Sequence, residues 1–263
     1  MLGKLFRQIH FSRCLEDILL ALTFFTRIPI RFIVKYDRTL MQACWCFPLI
    51  GASIGLVGGT FLYLLLVIQI PVAISAVITI CFIVILTGAL HEDGLADTAD
   101  GLGGGEDKKS KIEKMRDSRI GSYGVLAILL LTLIKLNALI SLATEKPYEI
   151  SFLSIICAHS LSRFSIIVIP YFSIPASNEG LARYAGKPAT RGIIGSFLIT
   201  SILILMLLPF DQAILSAVLA ILVAGAVGLL ASFQIKGYTG DILGAAQQVS
   251  EVTVLVYLAS SIS

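Results

Sequence analysis

Asp93, Asp97 and Asp100 stand at i, i+4 and i+7 in the polar stretch 87–101. On a helix, residues at this spacing project within about 60° of one another, along one stripe. Carboxylates that close repel and raise each other's pKa unless a cation sits among them. A hard divalent ion such as Mg²⁺ takes carboxylate oxygens and shares them with substrate phosphates. A solvated acidic helix start is the plain alternative. The small residues between the acids, Gly94, Ala96 and Gly101, argue instead for close approach by a large substrate or a second helix.

A second polar cluster runs from Lys236 through Gly244 to Gln247, Gln248 and Glu251. Asp241, Gly244, Gln248 and Glu251 fall on one helical face. Glu251 lies about two and a half turns into an apolar helix, where a carboxylate is costly and a functional candidate by default. Lys135 or Arg163 could pair with it as a purely structural arrangement, and His159 and Arg163, at i and i+4, need the same explanation. Lys135 lies in the outer half of its span and is expected to snorkel outwards.

Arginines supply the complementary charge. Arg116 and Arg119 flank Asp117 just before an apolar run. They suit bidentate phosphate binding, or simple anchoring at the interface. Arg27, before Pro29, is weak evidence alone, since a lone juxtamembrane arginine most often anchors. Gly103-Gly104-Gly105 has no Walker pattern and reads as a mobile linker. Lys108, Lys109, Lys111 and Lys114 could bind lipid phosphates or form a plain solvated run. No serine–histidine–acid triad and no paired metal-binding histidines are apparent.

These groups must be held by membrane helices. Of the 263 residues 57% are hydrophobic and 14% charged, and mean hydropathy is +0.92. Soluble domains carry about 25% charged residues, so a soluble globular, disordered or small secreted class is excluded. From Thr39 to Leu90 there are 52 residues without a charge. As helix that is about 78 Å, far beyond a hydrocarbon core of about 30 Å, so it must be a hairpin broken near Gln69-Ile70-Pro71. Spans are expected near 43–68, 71–90, 122–143, 150–172, 192–209, 212–233 and 243–262. The fold class is therefore all-α, a polytopic helical bundle of about seven spans. Leu2, Leu5, Phe6 and Ile9, with basic residues interspersed, add an amphipathic N-terminal helix on the membrane surface. Residues 1–263 read as one transmembrane catalytic domain. Residues 1–38 are its interfacial segment and 91–121 its acidic active-site loop.

The net charge of +3 is too small to argue for nucleic acid. Its distribution gives sidedness. Seventeen Lys and Arg fall in the N-terminal segment and the loops on its side, against one, Lys146, on the other. The positive-inside rule then places the N-terminus and every long polar loop in the cytoplasm. No small-residue cleavage site follows a short apolar core, so no secretory signal is expected. The five cysteines are scattered and read as reduced.

At least four carboxylates and several arginines thus converge on one face. That combination fits Mg²⁺-assisted transfer of a phosphate-bearing group at the cytoplasmic membrane surface. The stretch 87–101, the runs Arg116–Gly124 and Phe25–Pro29, Ser162-Arg163, and Thr239-Gly240-Asp241 through Glu251 together resemble the cobalamin synthase family, in the same order from about residue 20 onwards. The resemblance implies an inner (cytoplasmic) membrane enzyme of a prokaryote that needs Mg²⁺. It would join adenosylcobinamide-GDP to α-ribazole, or to α-ribazole 5′-phosphate, giving adenosylcobalamin or its 5′-phosphate and GMP. It further implies Asp93, Asp97, Asp100 and Asp241 on the metal and Arg116 and Arg119 on phosphate oxygens. Arg27, Arg163, Thr239 and Glu251 would serve substrate binding. Asp97 or Asp100 would be the base, with His91, titratable near neutrality, a second candidate. Partners would be these small molecules and the bilayer, with a homo-oligomer or a complex with upstream B12 enzymes suggested by family logic.

Two rivals are weaker. One is another Mg²⁺-dependent membrane phosphotransferase, of the CDP-alcohol or prenyl-transferring kind; the CDP-alcohol type carries an Ala-Arg pair after its first Asp-Gly, whereas Asp93-Gly94 is followed by Leu95-Ala96-Asp97. A transporter would place its polar site near mid-membrane between repeated halves, and no repeat is evident.

Overall fold

The computed structural model describes residues 2–29 and 38–261, with side chains from Arg13 onwards. The expectation of an interfacial amphipathic helix rests on Leu2, Leu5, Phe6 and Ile9, whose side chains lie outside the described residues. The helix itself, α1, runs Leu2–Phe25. After it come a 3-10 helix, Leu40–Cys46, then α2 (Phe47–Val67), α3 (Val72–Thr87), α4 (Leu90–Gly104) and α5 (Lys108–Met115). The second half holds α6 (Ser122–Glu145), α7 (Tyr148–Phe172), the single turn α8 (Leu181–Tyr184), α9 (Thr190–Leu207), α10 (Phe210–Ile235) and α11 (Gly240–Ser260). No strand occurs among the described residues, apart from one isolated bridge between Pro175 and Tyr238. The protein is a polytopic helical membrane bundle.

Among the described residues six stretches are long and apolar enough to cross a membrane: Leu40–Val67, α6, α7, α9, α10 and α11. The seventh qualifies only as α3 with α4, and these are bent by 90°. We count α3 as the crossing and α4, which carries four acids, as a helix turned out of it. The break expected at 69–71 is there: Gln69 takes φ 64° and Pro71 caps α3. The bend between α3 and α4 is made by Gly88 and Ala89, both left-handed, with φ 68° and 56°. Ala89 rarely adopts such a conformation, so the turn is held by its surroundings.

Small residues set the packing. Gly51, Gly55 and Gly59 recur every turn along α2 and meet α7. Ala213, Ser216, Ala220, Ala224, Gly228 and Ala231 form a buried stripe on α10. In lipid, tight backbone approach replaces hydrophobic collapse as the glue between helices. Of the candidate spans α7 and α11 are the most enclosed, and they carry half of the buried polar side chains among the described residues.

The expected acidic loop 91–121 is corrected: residues 90–104 and 108–115 are helices. The glycine run is not a mobile linker either, because Gly103 and Gly104 close α4 and Gly105 is its C-cap. Its apparent flexibility on sequence is overridden by packing against Tyr123 and Lys111. All five cysteines are free.

Candidate active site

The acidic corner is built where α4 crosses the first turn of α11. A Cβ on Gly94 would press on the backbone of Asp241 and Gly244, and one on Gly244 would press on Gly94 and His91. The two glycines therefore let the helices touch backbone to backbone, which sets Asp93 and Asp97 beside Asp241. Thr239 caps α11 by accepting from the Ile242 amide, and its hydroxyl donates to Asp241 Oδ2 at 3.1 Å. No Lys or Arg among the described residues forms an ion pair with Asp93, Asp97 or Asp241. Asp97 shows the consequence. Partial burial, then the charges of Asp93, Asp241 and Asp100, push its carboxyl up to about 7.

Asp100 lies on the same stripe but is already engaged. Its carboxylate accepts from the Gly121 amide at 2.7 Å and the Gly124 amide at 2.9 Å, at the start of α6. This closes the orphan amides of that helix and places a negative charge at its positive end. Any side chain at Gly121 or Gly124 would strike the carboxylate. Asp100 thus fastens α4 to α6.

Among the described residues no group of three or more His, Cys, Asp or Glu is arranged to hold a metal ion. Mg²⁺ needs no such cage, because it commonly takes one or two carboxylates and completes its shell from substrate phosphates and water. The hard oxygen donors of Asp93, Asp97 and Asp241, with no ion-paired cation among the described residues, fit that mode.

Two cavities flank Asp241. One, about 210 Å³, is lined by Met115, Arg116, Ser177, Glu179, Tyr238, Thr239 and Asp241, among others. Arg116 reaches Glu179 at 3.2 Å and Ser177 at 3.0 Å there. The loop carrying Ser177 and Glu179 is pinned by Ala176 and Tyr238, whose amide and carbonyl pair at 2.8 Å. The other cavity, about 90 Å³, is lined by Phe24, Phe25, Met41, Phe47, His91, Asp93 and Asp241, among others. Arg119 is elsewhere. It pairs with Asp117 at 2.8 Å and faces a separate open hollow with Asp100 and Tyr123. The structure therefore separates the two arginines expected to act together: the turn between α5 and α6 sends them to different cavities. Arg27 lies over the α3–α4 bend, its side chain against Gly88 and its amide donating to Leu86 at 2.7 Å.

His91 is 3% exposed and stacked on Phe25, with centroids 5.7 Å apart. Its expected titration near neutrality is corrected: burial, then the charge of Arg163, hold its pKa well below the usual imidazole range.

Arg163 and Glu251 sit in a different place from the acidic corner. Glu251, 2% exposed, receives Lys135 at 2.8 Å, Arg163 at 2.7 Å, Gln247 at 2.7 Å and His159 at 3.0 Å. Lys135 therefore does not snorkel outwards. The buried acid outbids the interface for it, and it also donates to Gln248. Gln248 in turn donates to Glu92 of α4 at 3.0 Å. The network joins α4, α6, α7 and α11 behind the acidic corner. Sequence reasoning missed Glu92, Ser177, Glu179 and the aromatic wall. Glu92 was visible within the acidic run; the others carry no local signal, since distant chain segments bring them in.

The family model described as cobalamin-5-phosphate synthase matches residues 17–259. Curated relatives include three named adenosylcobinamide-GDP ribazoletransferase. That of Azorhizobium caulinodans is 37% identical over 253 residues, covering 93% of this chain and 96% of its own. That of Mesorhizobium japonicum is 37% identical over 249 residues, covering 95% of each. That of Shewanella pealeana is 39% identical over 243 residues, covering 91% and 93%. No solved structure matches the chain.

Proposed function

The chain belongs to the cobalamin-5-phosphate synthase family, and from that premise we propose how its geometry serves the family's reaction. The protein is an adenosylcobinamide-GDP ribazoletransferase, a membrane enzyme of cobalamin synthesis whose substrates are adenosylcobinamide-GDP and ribazole. A ribose hydroxyl of the ribazole attacks the phosphorus carried on the cobinamide arm. The phosphoanhydride bond breaks, its electron pair leaves with GMP, and the hydroxyl proton passes to a base.

The observation that carries the site assignment is the Gly94–Gly244 crossing, which gathers Asp93, Asp97 and Asp241 without an ion pair, where two cavities meet at Asp241. Asp93 and Asp241 would hold Mg²⁺, with Asp97 beside them. When bound, the ion neutralises pyrophosphate oxygens and the departing phosphate. Arg116, at the polar cavity, holds phosphate oxygens through its planar fork after exchanging Glu179 and Ser177 for them. Asp97 takes the proton of the attacking hydroxyl, since both oxygens of Asp100 are taken by backbone amides. The wall of helices keeps both reactants in line, and positioning is the larger part of such catalysis. The positive-inside count supports a site open to the cytoplasm of an inner membrane.

The test is a mass-spectrometric assay of detergent-purified protein with adenosylcobinamide-GDP, α-ribazole or its 5′-phosphate, and Mg²⁺. Stoichiometric GMP and a cobalamin product are expected, abolished by EDTA and by Asp97→Asn. Product that survives Asp97→Asn would remove Asp97 from the chemistry; product that survives EDTA would remove the metal.

A further inference from the structure

The cavities that meet at Asp241 differ in chemistry. One side presents Arg116, Ser177 and Thr239, as a phosphoanhydride requires. The other is walled by Phe24, Phe25, Met41 and Phe47, with ring pairs 4.9–5.0 Å apart. Asp93 and Asp241 border this aromatic side as well. One polar atom stands out within it. His91 Nε2 is buried and has no hydrogen-bond partner. The neighbouring network does not reach it, since Glu251, Gln247 and Gln248 are bonded among themselves and to Lys135, Arg163 and Glu92. Buried polar atoms in proteins are nearly always paired, and an exception on a residue that lines an apolar cavity calls for a ligand atom that reaches it as the cavity opens.

We propose that this cavity is the acceptor subsite: it receives the flat base of ribazole, and His91 Nε2–H donates to the base's one unsubstituted ring nitrogen. The inference rests on the ribazoletransferase reading and adds to it the place and the polarity of acceptor recognition. A benzimidazole riboside has a planar apolar ring system, a single free nitrogen that only accepts, and hydroxyls on the attached ribose. The aromatic walls match the ring, an N–H donor matches the nitrogen, and the carboxylates at the edge match the hydroxyl that must react. The geometry also separates the two substrates. The acceptor enters from the aromatic side, the phosphoanhydride from the Arg116 side, and the reacting atoms meet at Asp241. The cavity of about 90 Å³ is tight for two fused rings, so the base enters as Leu181, which lines it and is 43% exposed, moves aside.

The experiment compares two acceptors on the detergent-purified enzyme: α-ribazole and the indole riboside in which C–H replaces the free ring nitrogen. With the unvaried protein, the indole riboside is expected to show a KM raised about tenfold or more, as sites built to bond a polar atom reject its absence. The KM for adenosylcobinamide-GDP should stay unchanged. In His91→Phe the two acceptors should become equal, both weak, again without effect on the KM of the GDP substrate. Equal KM for both acceptors with the unvaried protein overturns the proposal, whether or not the variant folds. So does a His91→Phe effect confined to adenosylcobinamide-GDP. Absence of any GMP from α-ribazole would overturn the ribazoletransferase reading itself, a result distinct from turnover without discrimination.

Discussion

The same two helices, α4 and α11, hold two sets of acids with opposite surroundings. On one side, Glu251 sits in a buried network where Lys135, Arg163 and Gln247 answer its charge, and Gln248 ties Glu92 to that network. On the other, Asp93, Asp97 and Asp241 crowd together, with the Thr239 hydroxyl on Asp241 and no ion-paired cation among the described residues. The first set is tied into the fold and holds four helices together. The second has a charge the fold leaves unanswered, and that unanswered charge is what a metal-bound phosphate can satisfy. Adjacent residues, Glu92 and Asp93, fall on either side of this divide, because consecutive side chains on α4 point about 100° apart, one toward the bundle and the other toward the cavity.

The sharpest break between the two sets is Asp97→Asn. Removing this carboxylate should lower kcat by about 10²–10⁴-fold, the usual weight of a positioned base. Thermal stability should hold or rise slightly, because a repelling charge is gone. The pair of readings, GMP release and the unfolding midpoint, distinguishes the site from the scaffold. Glu251→Gln should do the reverse. It leaves Lys135 and Arg163 buried without their counter-charge, and breaking one side of a buried pair costs about 3–5 kcal/mol. The unfolding midpoint should fall sharply and activity should follow only the folded fraction. An unchanged midpoint with activity lost would instead put Glu251 on the substrate.

How much of this was legible beforehand follows the same divide. The apolar runs and their breaks gave the spans to within a few residues, because hydrocarbon thickness and proline act locally. The stripe of Asp93, Asp97 and Asp100 was visible for the same reason, since helical spacing is a local property. What spacing could not show is which stripe member already has a partner. Asp100 is occupied by the Gly121 and Gly124 amides, 21 and 24 residues away in sequence. Likewise Arg116 and Arg119 look equivalent as neighbours, and only the turn after α5 sends them to different cavities. The partners of Lys135 come from α11, so its direction was not written in its own span.

Asp100→Asn tests whether that third aspartate belongs with the scaffold. One charged hydrogen bond at the start of α6 is lost, worth about 1.5–3 kcal/mol. Stability should drop by that order, with kcat far less affected than in Asp97→Asn. Equal loss of activity in the two variants, at unchanged stability, would return Asp100 to the metal.

The finest division lies between the two arginines. Arg116 borders the cavity that reaches Asp241, and its present bonds, to Glu179 and Ser177, are partly exposed and readily exchanged. Arg116→Ala should raise the KM for adenosylcobinamide-GDP by about tenfold, the equivalent of about 1.4 kcal/mol, and leave the KM for ribazole alone. Arg119 is 87% exposed and bonded to Asp117, so its ion pair contributes little. Arg119→Ala should change both KM values by less than about twofold and stability by less than about 0.5 kcal/mol. Steady-state kinetics with each substrate varied in turn reads both variants. Because the two residues lie three apart in one charged run, a general electrostatic attraction of the anionic substrate would weaken both variants alike. Only a built phosphate site, reached by one arginine and not the other, makes them differ.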